Sequence, residues 1–135
     1  MDSIFTKILD GDVSGYVVVR TDTVATLLSL EGHPLVVPIH PYSSIADLDE
    51  KTAADLMQMI VRVANATKEV TNCDGINIVQ SDGAAAGQDV FHVHFHIKPR
   101  FKGDEVRLTW DTSTRPEEER AVLASSLSKR VELDN

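Results

Sequence analysis

Residues 92–98 read His-Val-His-Phe-His-Ile-Lys, in which histidine and an apolar residue alternate. Successive side chains of a β-strand point to opposite faces, so this alternation predicts a strand with one apolar and one histidine-bearing face. The side chains expected to face the core are Phe91, Val93, Phe95 and Ile97. Those expected on the opposite face are His92, His94, His96 and Lys98. Because an imidazole can donate, accept, titrate or attack near neutral pH, we expect the chemistry on this strand.

The composition of the chain limits its class. With 135 residues, 42% hydrophobic and 25% charged, it is typical of one globular domain. A net charge of −8 argues against broad binding to nucleic acid or an anionic membrane, so neither is expected as a partner. The single Cys73 excludes an internal disulfide and favours a reducing compartment. Without a long apolar run or a signal-peptide pattern in residues 1–7, the expected location is cytoplasmic.

Other periodicities predict the elements around the histidine strand. A short helix is expected over residues 3–9. A long helix is expected over residues 49–71, where apolar residues recur at three- and four-residue spacing and Asp47 or Asp49 can cap the start. Residues 114–117 resemble a capping box that opens a last helix through about Val131. Further strands are expected over residues 16–20, 24–30, 35–39 and 76–79. The predicted fold class is α+β, one antiparallel sheet with helices on one face.

The spacing of the histidines distinguishes two kinds of site. Alternate strand residues lie ~6.6 Å apart, whereas a metal holds its nitrogen ligands within ~2.1 Å. One ion could therefore use two neighbouring histidines but hardly all three. A phosphate approached by the central histidine uses the row better, because a neutral imidazole can attack phosphorus. The small-residue loop at residues 83–87 can bring backbone N–H groups close to an anion, Gln88 adds a neutral donor, and His33 could support the site.

Four segments carry a resemblance to the histidine triad (HIT) superfamily. They are, in chain order, an opening helix at residues 3–8, a Gly-His strand at 32–38, a Gly-Gln segment at 86–91 and the alternating histidine motif at 92–98. The match covers roughly residues 3–100. It divides the chain into a HIT domain at residues 1–101 and a C-terminal extension at residues 102–135, expected to pack on the same domain. This tail resembles the extension of some bacterial-type members.

The resemblance implies a fold, an assembly and an activity. The fold is a five-stranded antiparallel sheet with one long helix, one short helix and a C-terminal helix, and two subunits pair into one continuous sheet as a homodimer. The activity is nucleotidyl hydrolysis or transfer at the α-phosphate of a nucleoside phosphoramidate or polyphosphate, with that nucleoside phosphate as the small-molecule partner and no cofactor.

The resemblance also assigns roles to individual residues. His94 is the nucleophile, His96 and Gln88 bind phosphate oxygens, His92 orients His94, and His33 supports them. The residues expected to contact the substrate are Gln88, Gly87, Asp89, Val90, Phe5, Ile8, Leu27, Ser29, Leu30 and Gln80. Among these, Asp89 is expected near the leaving group.

The chain departs from the family pattern at three places. Leu27 and Ser29 stand where relatives carry an aromatic residue and an acid that binds the ribose hydroxyls, a hydrogen bond to a charge that is typically worth ~1.5–3 kcal/mol. The loop between residues 30 and 32 is shorter than usual, and Gln80 stands where relatives often have Asn. Ser3 and Thr6 replace the Cys-x-x-Cys pair of zinc-binding members, so no zinc site is expected.

Two other interpretations remain open on sequence grounds. The altered ribose wall could leave a module that binds a nucleotide or another phosphate ligand without turnover. Alternatively, two neighbouring histidines could form a His-x-His pair that binds a metal. No further cluster of Cys, Asp or Glu accompanies the histidines, which gives the metalloprotein little support.

Overall fold

A computed structural model describes residues 2–131. The chain divides into two units, Met1–Asp104 and Glu105–Asn135, a boundary three residues beyond the predicted one. The helices of the first unit are α1 (Ile4–Leu9) and α2 (Glu50–Thr71), with short 3₁₀ turns at Ile45–Asp47 and Ala84–Ala86. Its strands are β1 (Tyr16–Arg20), β2 (Val24–Leu28), β3 (Pro34–Pro38), β4 (Gly75–Val79) and β5 (Phe95–Arg100). The second unit contains α3 (Glu117–Arg130).

The five strands form one antiparallel sheet in the order β1-β2-β3-β5-β4, which confirms the predicted fold. The strand carrying His96 is therefore internal, between β3 and β4. Strand β2 ends two residues earlier than expected, because Gly32 donates its N–H to the carbonyl of Ser29 at 3.0 Å and closes a tight turn. Gly32 has φ +91°, a value that favours glycine. This turn places Ser29 beside His33.

Helix α2 covers one face of the sheet. Asp49 caps its start by accepting the N–H of Thr52 at 3.0 Å, and Asn72 ends it in the left-handed conformation. Its apolar stripe packs on strand residues that point to the same face; the buried members of this core are Val24, Val36, Leu56, Met59, Ile60, Val63 and Ile97. The apolar residues whose spacing predicts α2 in the sequence therefore form the main hydrophobic core with the sheet.

Helix α1 packs on the opposite face of the sheet, so the prediction that the helices share one face is wrong. Phe5 lies in a second core with the alternate residues of β2 and β3, namely Ala25, Leu27, Leu35 and Val37. The pleat of the strands separates these from the residues under α2. Because α1 covers only part of this face, it leaves a depression beside its own apolar side chains.

Two details of the histidine run differ from the prediction. Regular pairing begins only at Phe95, so His92 and His94 lie in the irregular segment that leads into β5. Phe91 is 56% exposed and does not face the core, whereas Val93 and Ile97 are fully buried as expected. The strand period does not apply at Phe91, because that residue precedes the sheet ladder.

Helix α3 begins at Glu117 after Pro116, and no side chain caps it, so the predicted capping box at residues 114–117 is wrong. The helix ends at Arg130, close to the expected Val131, while residues 132–135 lie outside the described range. The predicted packing of residues 102–135 on the first unit stays a prediction, as does the homodimer. In the described part of the chain, no helix is long and apolar enough to cross a bilayer.

Candidate active site

The irregular segment before β5 is anchored by His92. This side chain is fully buried, and its Nε2 lies 2.7 Å from the carbonyl oxygen of Pro38 at the end of β3. A carbonyl can only accept, so Nε2 carries the proton and Nδ1 of the neutral ring is an acceptor. The Ser3 hydroxyl lies 2.6 Å from Nδ1 and donates to it. The next residue, Val93, donates its N–H to the carbonyl of Tyr42 at 2.7 Å.

The same reasoning assigns the proton on His94. Its Nδ1 lies 2.7 Å from the carbonyl oxygen of His92, so Nδ1 donates and Nε2 keeps its lone pair. The ring is mostly buried and packs edge-to-face on Phe5, with centroids 5.1 Å apart. One nitrogen is thus held by the backbone, and the other is the nitrogen available to the adjacent cavity. This is the state that a nucleophilic imidazole needs.

His33 and His96 form a second pair beside the first. Nε2 of His33 lies 2.9 Å from Nδ1 of His96, and Nδ1 of His33 lies 3.2 Å from the Ser29 hydroxyl. Ser29 Oγ also accepts the backbone N–H of His33 at 3.1 Å. If the hydroxyl donates to His33, that ring donates to His96, and Nε2 of His96 carries a proton. This polarity makes Nε2 of His96 a donor.

Burial favours the neutral form of His33, His92 and His96. The pKa of His96 is lowered to about 4, first by burial and then by His94, His33 and Lys98, against the opposing effect of Glu31. The pKa of His33 is lowered by burial and then by Lys98, again against Glu31. Burial also lowers the pKa of His92, although the hydrogen bond to the Pro38 carbonyl raises it. Near neutral pH these three imidazoles are therefore uncharged and can donate hydrogen bonds.

A cavity of about 710 Å³ opens between α1, the end of β2 and the histidine segment. It brings together nine of the residues predicted for the site: Phe5, Ile8, Leu27, Ser29, Leu30, Asp89, Val90, His94 and His96. His92 and His33 do not line it, and each lies behind a histidine that does. The cavity size suits a small organic phosphate.

The lining also includes residues that the sequence analysis missed: Ile4, Val13, Ser14, Gly15, Tyr16, Leu28, Glu31, Gly32 and Leu35. Most belong to the connection between α1 and β1 or to the β2–β3 turn. Gly15 lies very close to α1, because a Cβ there would lie 2.8 Å from Cγ2 of Ile8. Only glycine allows this close approach of the connection to α1, which shapes one wall of the cavity.

The Gln88 side chain does not line the cavity. Its Nε2 donates to the carbonyls of Ser43 at 2.9 Å and Val90 at 3.1 Å, and its Oε1 accepts the N–H of Gly83 at 2.7 Å. Each amide group is thereby bound to the loop that precedes the histidines. In this structure the Gln88 side chain anchors the loop, and its expected contact with phosphate stays a prediction. Gly87 and Gln80 likewise lie outside the lining.

The fold and the paired histidines at one cavity define the class of protein to which the chain belongs, and comparison with known proteins gives the family. Residues 14–103 match the HIT domain, so the chain belongs to the HIT domain family. It is 38% identical, over 76% of its length and 78% of the other's, to an uncharacterised HIT-like protein of Borreliella burgdorferi. It is 31% identical to adenosine 5′-monophosphoramidase HNT1 of Saccharomyces cerevisiae, over 72% of this chain and 61% of that one.

Solved structures agree with this assignment. A HIT family protein from Bacillus subtilis superimposes with a TM-score of 0.90 at 29% identity, covering 99% of this chain and 100% of the other. A zinc-bound histidine triad family protein from Mycobacterium smegmatis superimposes with a TM-score of 0.73 at 32% identity, covering 96% and 98%.

The residues of this chain do not fit a zinc ion. Among residues 2–131, no group of three or more His, Cys, Asp or Glu side chains could hold a metal. Ser3 and Thr6 offer hydroxyls, which are weaker zinc ligands than thiolate or imidazole. The Ser3 hydroxyl is already bound to His92 Nδ1. Steps of the chemistry are therefore assigned to the side chains alone.

Proposed function

We propose that this protein hydrolyses nucleoside 5′-phosphoramidates through a nucleotidyl-histidine intermediate on His94. The observation that carries the proposal is the hydrogen bond from His94 Nδ1 to the His92 carbonyl, which leaves an unprotonated Nε2 at the cavity. The similarity to a yeast protein named as an adenosine 5′-monophosphoramidase supports the choice of reaction.

The reaction has two balanced displacements. In the first, the Nε2 lone pair of His94 forms a bond to the α-phosphorus while the bond from phosphorus to the amine nitrogen breaks, and the amine leaves with that electron pair and takes a proton from solvent. In the second, water attacks the phosphorus and gives up a proton to solvent, the electron pair of the N–P bond returns to Nε2 of His94, and a nucleoside monophosphate is released. The His94 ring gains positive charge in the first step, so its Nδ1–H bond to the His92 carbonyl strengthens.

Phosphate binding is assigned to His96 and to the backbone of the loop. In the polarity that starts at the Ser29 hydroxyl, Nε2 of His96 is a neutral donor that can bind a phosphate oxygen. Within residues 2–131 the N–H of Asp89 donates to no other backbone or side-chain group, so it is available as a second donor. Neutral donors of this kind stabilise phosphate without needing a metal.

The charges at the cavity favour an amine as the leaving group. Of the described residues that line it, the charged ones are Glu31 and Asp89, and no lysine or arginine is among them. Lys98 acts electrostatically on His33 and His96 without lining the cavity. A departing polyphosphate would meet two carboxylates, whereas a protonated amine would be attracted to them. We therefore place phosphoramidates ahead of dinucleoside polyphosphates.

The test is hydrolysis of adenosine 5′-phosphoramidate by the wild-type protein and by His94→Ala, with both shown to be folded by circular dichroism. His40→Ala is a matched control, because His40 is an exposed histidine that does not line the cavity. We expect turnover in the wild type and the control, and none in His94→Ala. Quenching in alkaline denaturant, in which the N–P bond survives, followed by mass spectrometry should find adenylate on the peptide containing His94.

Other results would select the alternatives. Binding of adenosine monophosphate with no turnover of any phosphoramidate or polyphosphate would make the protein a binding module. Activity that is lost on treatment with a chelator and restored by zinc would contradict the metal-free mechanism. The cytoplasmic location and the homodimer belong to the proposal as predictions from the sequence.

A further inference from the structure

Ser3, which immediately precedes α1, forms a hydrogen bond with a histidine that is far away in the sequence. It caps α1 by accepting the N–H of Thr6 at 3.2 Å, and its hydroxyl lies 2.6 Å from Nδ1 of His92, which is 89 residues away. We propose that Ser3 is a positioning residue, which donates to His92 Nδ1, fixes the orientation of that ring and thereby holds the nucleophile His94 in place. This inference rests on the proposed function.

The direction of the hydrogen bond follows from its neighbours. The Pro38 carbonyl requires a proton on His92 Nε2, so a neutral ring accepts at Nδ1 and the Ser3 hydroxyl is the donor. The hydroxyl can donate in this direction because its acceptor capacity serves the N–H of Thr6. Both ring nitrogens of His92 are thereby bound in one tautomer, within a fully buried environment.

The effect reaches His94 through the backbone. The carbonyl of His92 holds Nδ1 of His94 at 2.7 Å, yet both residues precede the paired part of β5. Their segment has no strand ladder to keep that carbonyl in place. The carbonyl of His92 is held in place by the hydrogen bond from the Val93 N–H to the Tyr42 carbonyl and by the two hydrogen bonds of the His92 ring. Loss of the Ser3 bond removes one of these three anchors.

The same contact fixes α1 over the cavity. Phe5, two residues after Ser3, packs edge-to-face on His92 and His94, with ring centroids 5.5 and 5.1 Å away. Phe5 also lines the cavity. The hydroxyl therefore joins the helix that forms one wall to the segment that carries the nucleophile. In this chain a direct hydrogen bond does this at a position where the sequence resemblance places a zinc ligand in other members.

Three substitutions separate the two roles of Ser3. Ser3→Ala removes both the cap and the donor, and Ser3→Thr keeps both. Ser3→Asp keeps an acceptor for the Thr6 N–H, which is a favourable cap. Its carboxylate cannot donate, however, and it would draw a proton onto His92 Nδ1. Thr6→Val is the control, since the Thr6 hydroxyl contacts Ser3 Oγ only at 3.5 Å and does not line the cavity.

The first readout is the nitrogen spectrum of His92 in ¹⁵N-histidine-labelled protein. We expect the wild type and Ser3→Thr to have the proton on Nε2 alone. Ser3→Asp should have both nitrogens protonated. Ser3→Ala should keep the proton on Nε2, because the Pro38 carbonyl still accepts it, but its Nδ1 resonance should shift because the donor is lost. The second readout is steady-state hydrolysis of adenosine 5′-phosphoramidate. We expect kcat to fall in Ser3→Ala and Ser3→Asp by roughly tenfold to a hundredfold, the range typical of groups that orient a metal-bound histidine, with KM nearly unchanged.

The outcomes separate this inference from the proposed function. A folded Ser3→Ala or Ser3→Asp with the wild-type kcat overturns the positioning role, as does a loss of kcat that Ser3→Thr shares. If the wild type hydrolyses no phosphoramidate, the proposed function fails. The spectra then still decide whether Ser3 donates to His92, because an Nδ1 resonance that is unchanged in Ser3→Ala contradicts it.

Discussion

Nε2 of His33 and Nδ1 of His96 lie 2.9 Å apart, so two imidazoles from adjacent strands share one proton. Ser29 lies behind this pair, with its hydroxyl 3.2 Å from the other nitrogen of His33. Ser29, which stands at the position where the family resemblance places a ribose-binding acid, is thus hydrogen-bonded to His33. Nδ1 of His96 is bound to His33, so Nε2 is the nitrogen left for the substrate. Whether this Nε2 carries a proton depends on the direction of the hydrogen bonds from Ser29 through His33 to His96.

We predict that Ser29→Ala lowers kcat/KM for adenosine 5′-phosphoramidate roughly fivefold to tenfold, because a neutral hydrogen bond contributes about 1 kcal/mol. Without the hydroxyl donor, His33 loses its preference for holding a proton on Nε2. Ser29→Thr retains a hydroxyl and should keep more of the activity. Initial rates over a range of substrate concentrations test this, and equal losses in the two variants would contradict it.

The acidic side of the stability profile depends on the buried histidines. Folding lowers the pKa of His96 from 6.5 to about 4, so between these values the unfolded chain binds a proton that the folded chain does not. The contribution of His96 to the free energy of unfolding is therefore complete above pH 6.5 and decreases as the pH falls towards 4. His33 and His92 add to the same trend, since their pKa values are also lowered.

Urea unfolding at pH 7, 6 and 5 measures this loss of stability. His96→Gln removes one of the contributing groups and should flatten the profile. The depressed pKa values of Asp49 and Asp55 act only below their usual value of 3.8, outside this window. A profile that is flat from pH 7 to 5 would contradict the prediction.

We expect the carboxylate of Asp89 to set the preference for the leaving group. Two unit charges about 4 Å apart in water interact by about 1 kcal/mol, which corresponds to roughly a fivefold change in rate. We expect Asp89→Asn to raise kcat/KM for a dinucleoside polyphosphate, relative to a phosphoramidate, by about this factor. Because Asp89 is exposed, high salt should reduce the difference. Glu69→Gln, on the exposed side of α2, is a charge-matched control that should leave the ratio unchanged.

Gln88 is expected to affect stability. Gln88→Ala removes the hydrogen bonds of the buried Gln88 amide to the carbonyls of Ser43 and Val90 and to the N–H of Gly83, and a hydrogen bond of this kind contributes about 0.5–1.5 kcal/mol. Urea unfolding should detect this loss. Gln80→Ala removes only a bond to the adjacent Ser81 carbonyl and should cost less. A stable Gln88→Ala protein with weakened substrate binding would instead support direct contact with the phosphate.

Thr26 offers a stabilising substitution. Its side chain is fully buried on β2, and among the described residues no group forms a hydrogen bond with its Oγ1. Valine has nearly the same shape without the hydroxyl, so we expect Thr26→Val to raise the free energy of unfolding by about 1 kcal/mol. Thr67→Val is the control, because the buried Thr67 hydroxyl already donates to the Val63 carbonyl at 2.7 Å. The control should show no such gain.

Local patterns predicted most of the elements. The apolar spacing of α2 and Asp49, one of its two candidate caps, depend on neighbours within a few turns, and the structure has both. The start of α3 is an exception, because the polar residues at 114–117 only resemble a capping box and Pro116 precedes the first helical residue. Phe91 was misplaced for a similar reason, since alternation carries information only where strands are paired.

The sequence by itself determined the histidine row, the elements on which it is mounted and the small-residue loop before it. Tertiary structure alone decided the hydrogen-bond partners of His92 and His96, because these partners are distant in sequence. His92 is bound by Ser3 and by Pro38, which are 89 and 54 residues away, and His96 is bound by His33, which is 63 residues away. A hydrogen bond of this kind forms only after the sheet has closed, so no local spacing encodes it.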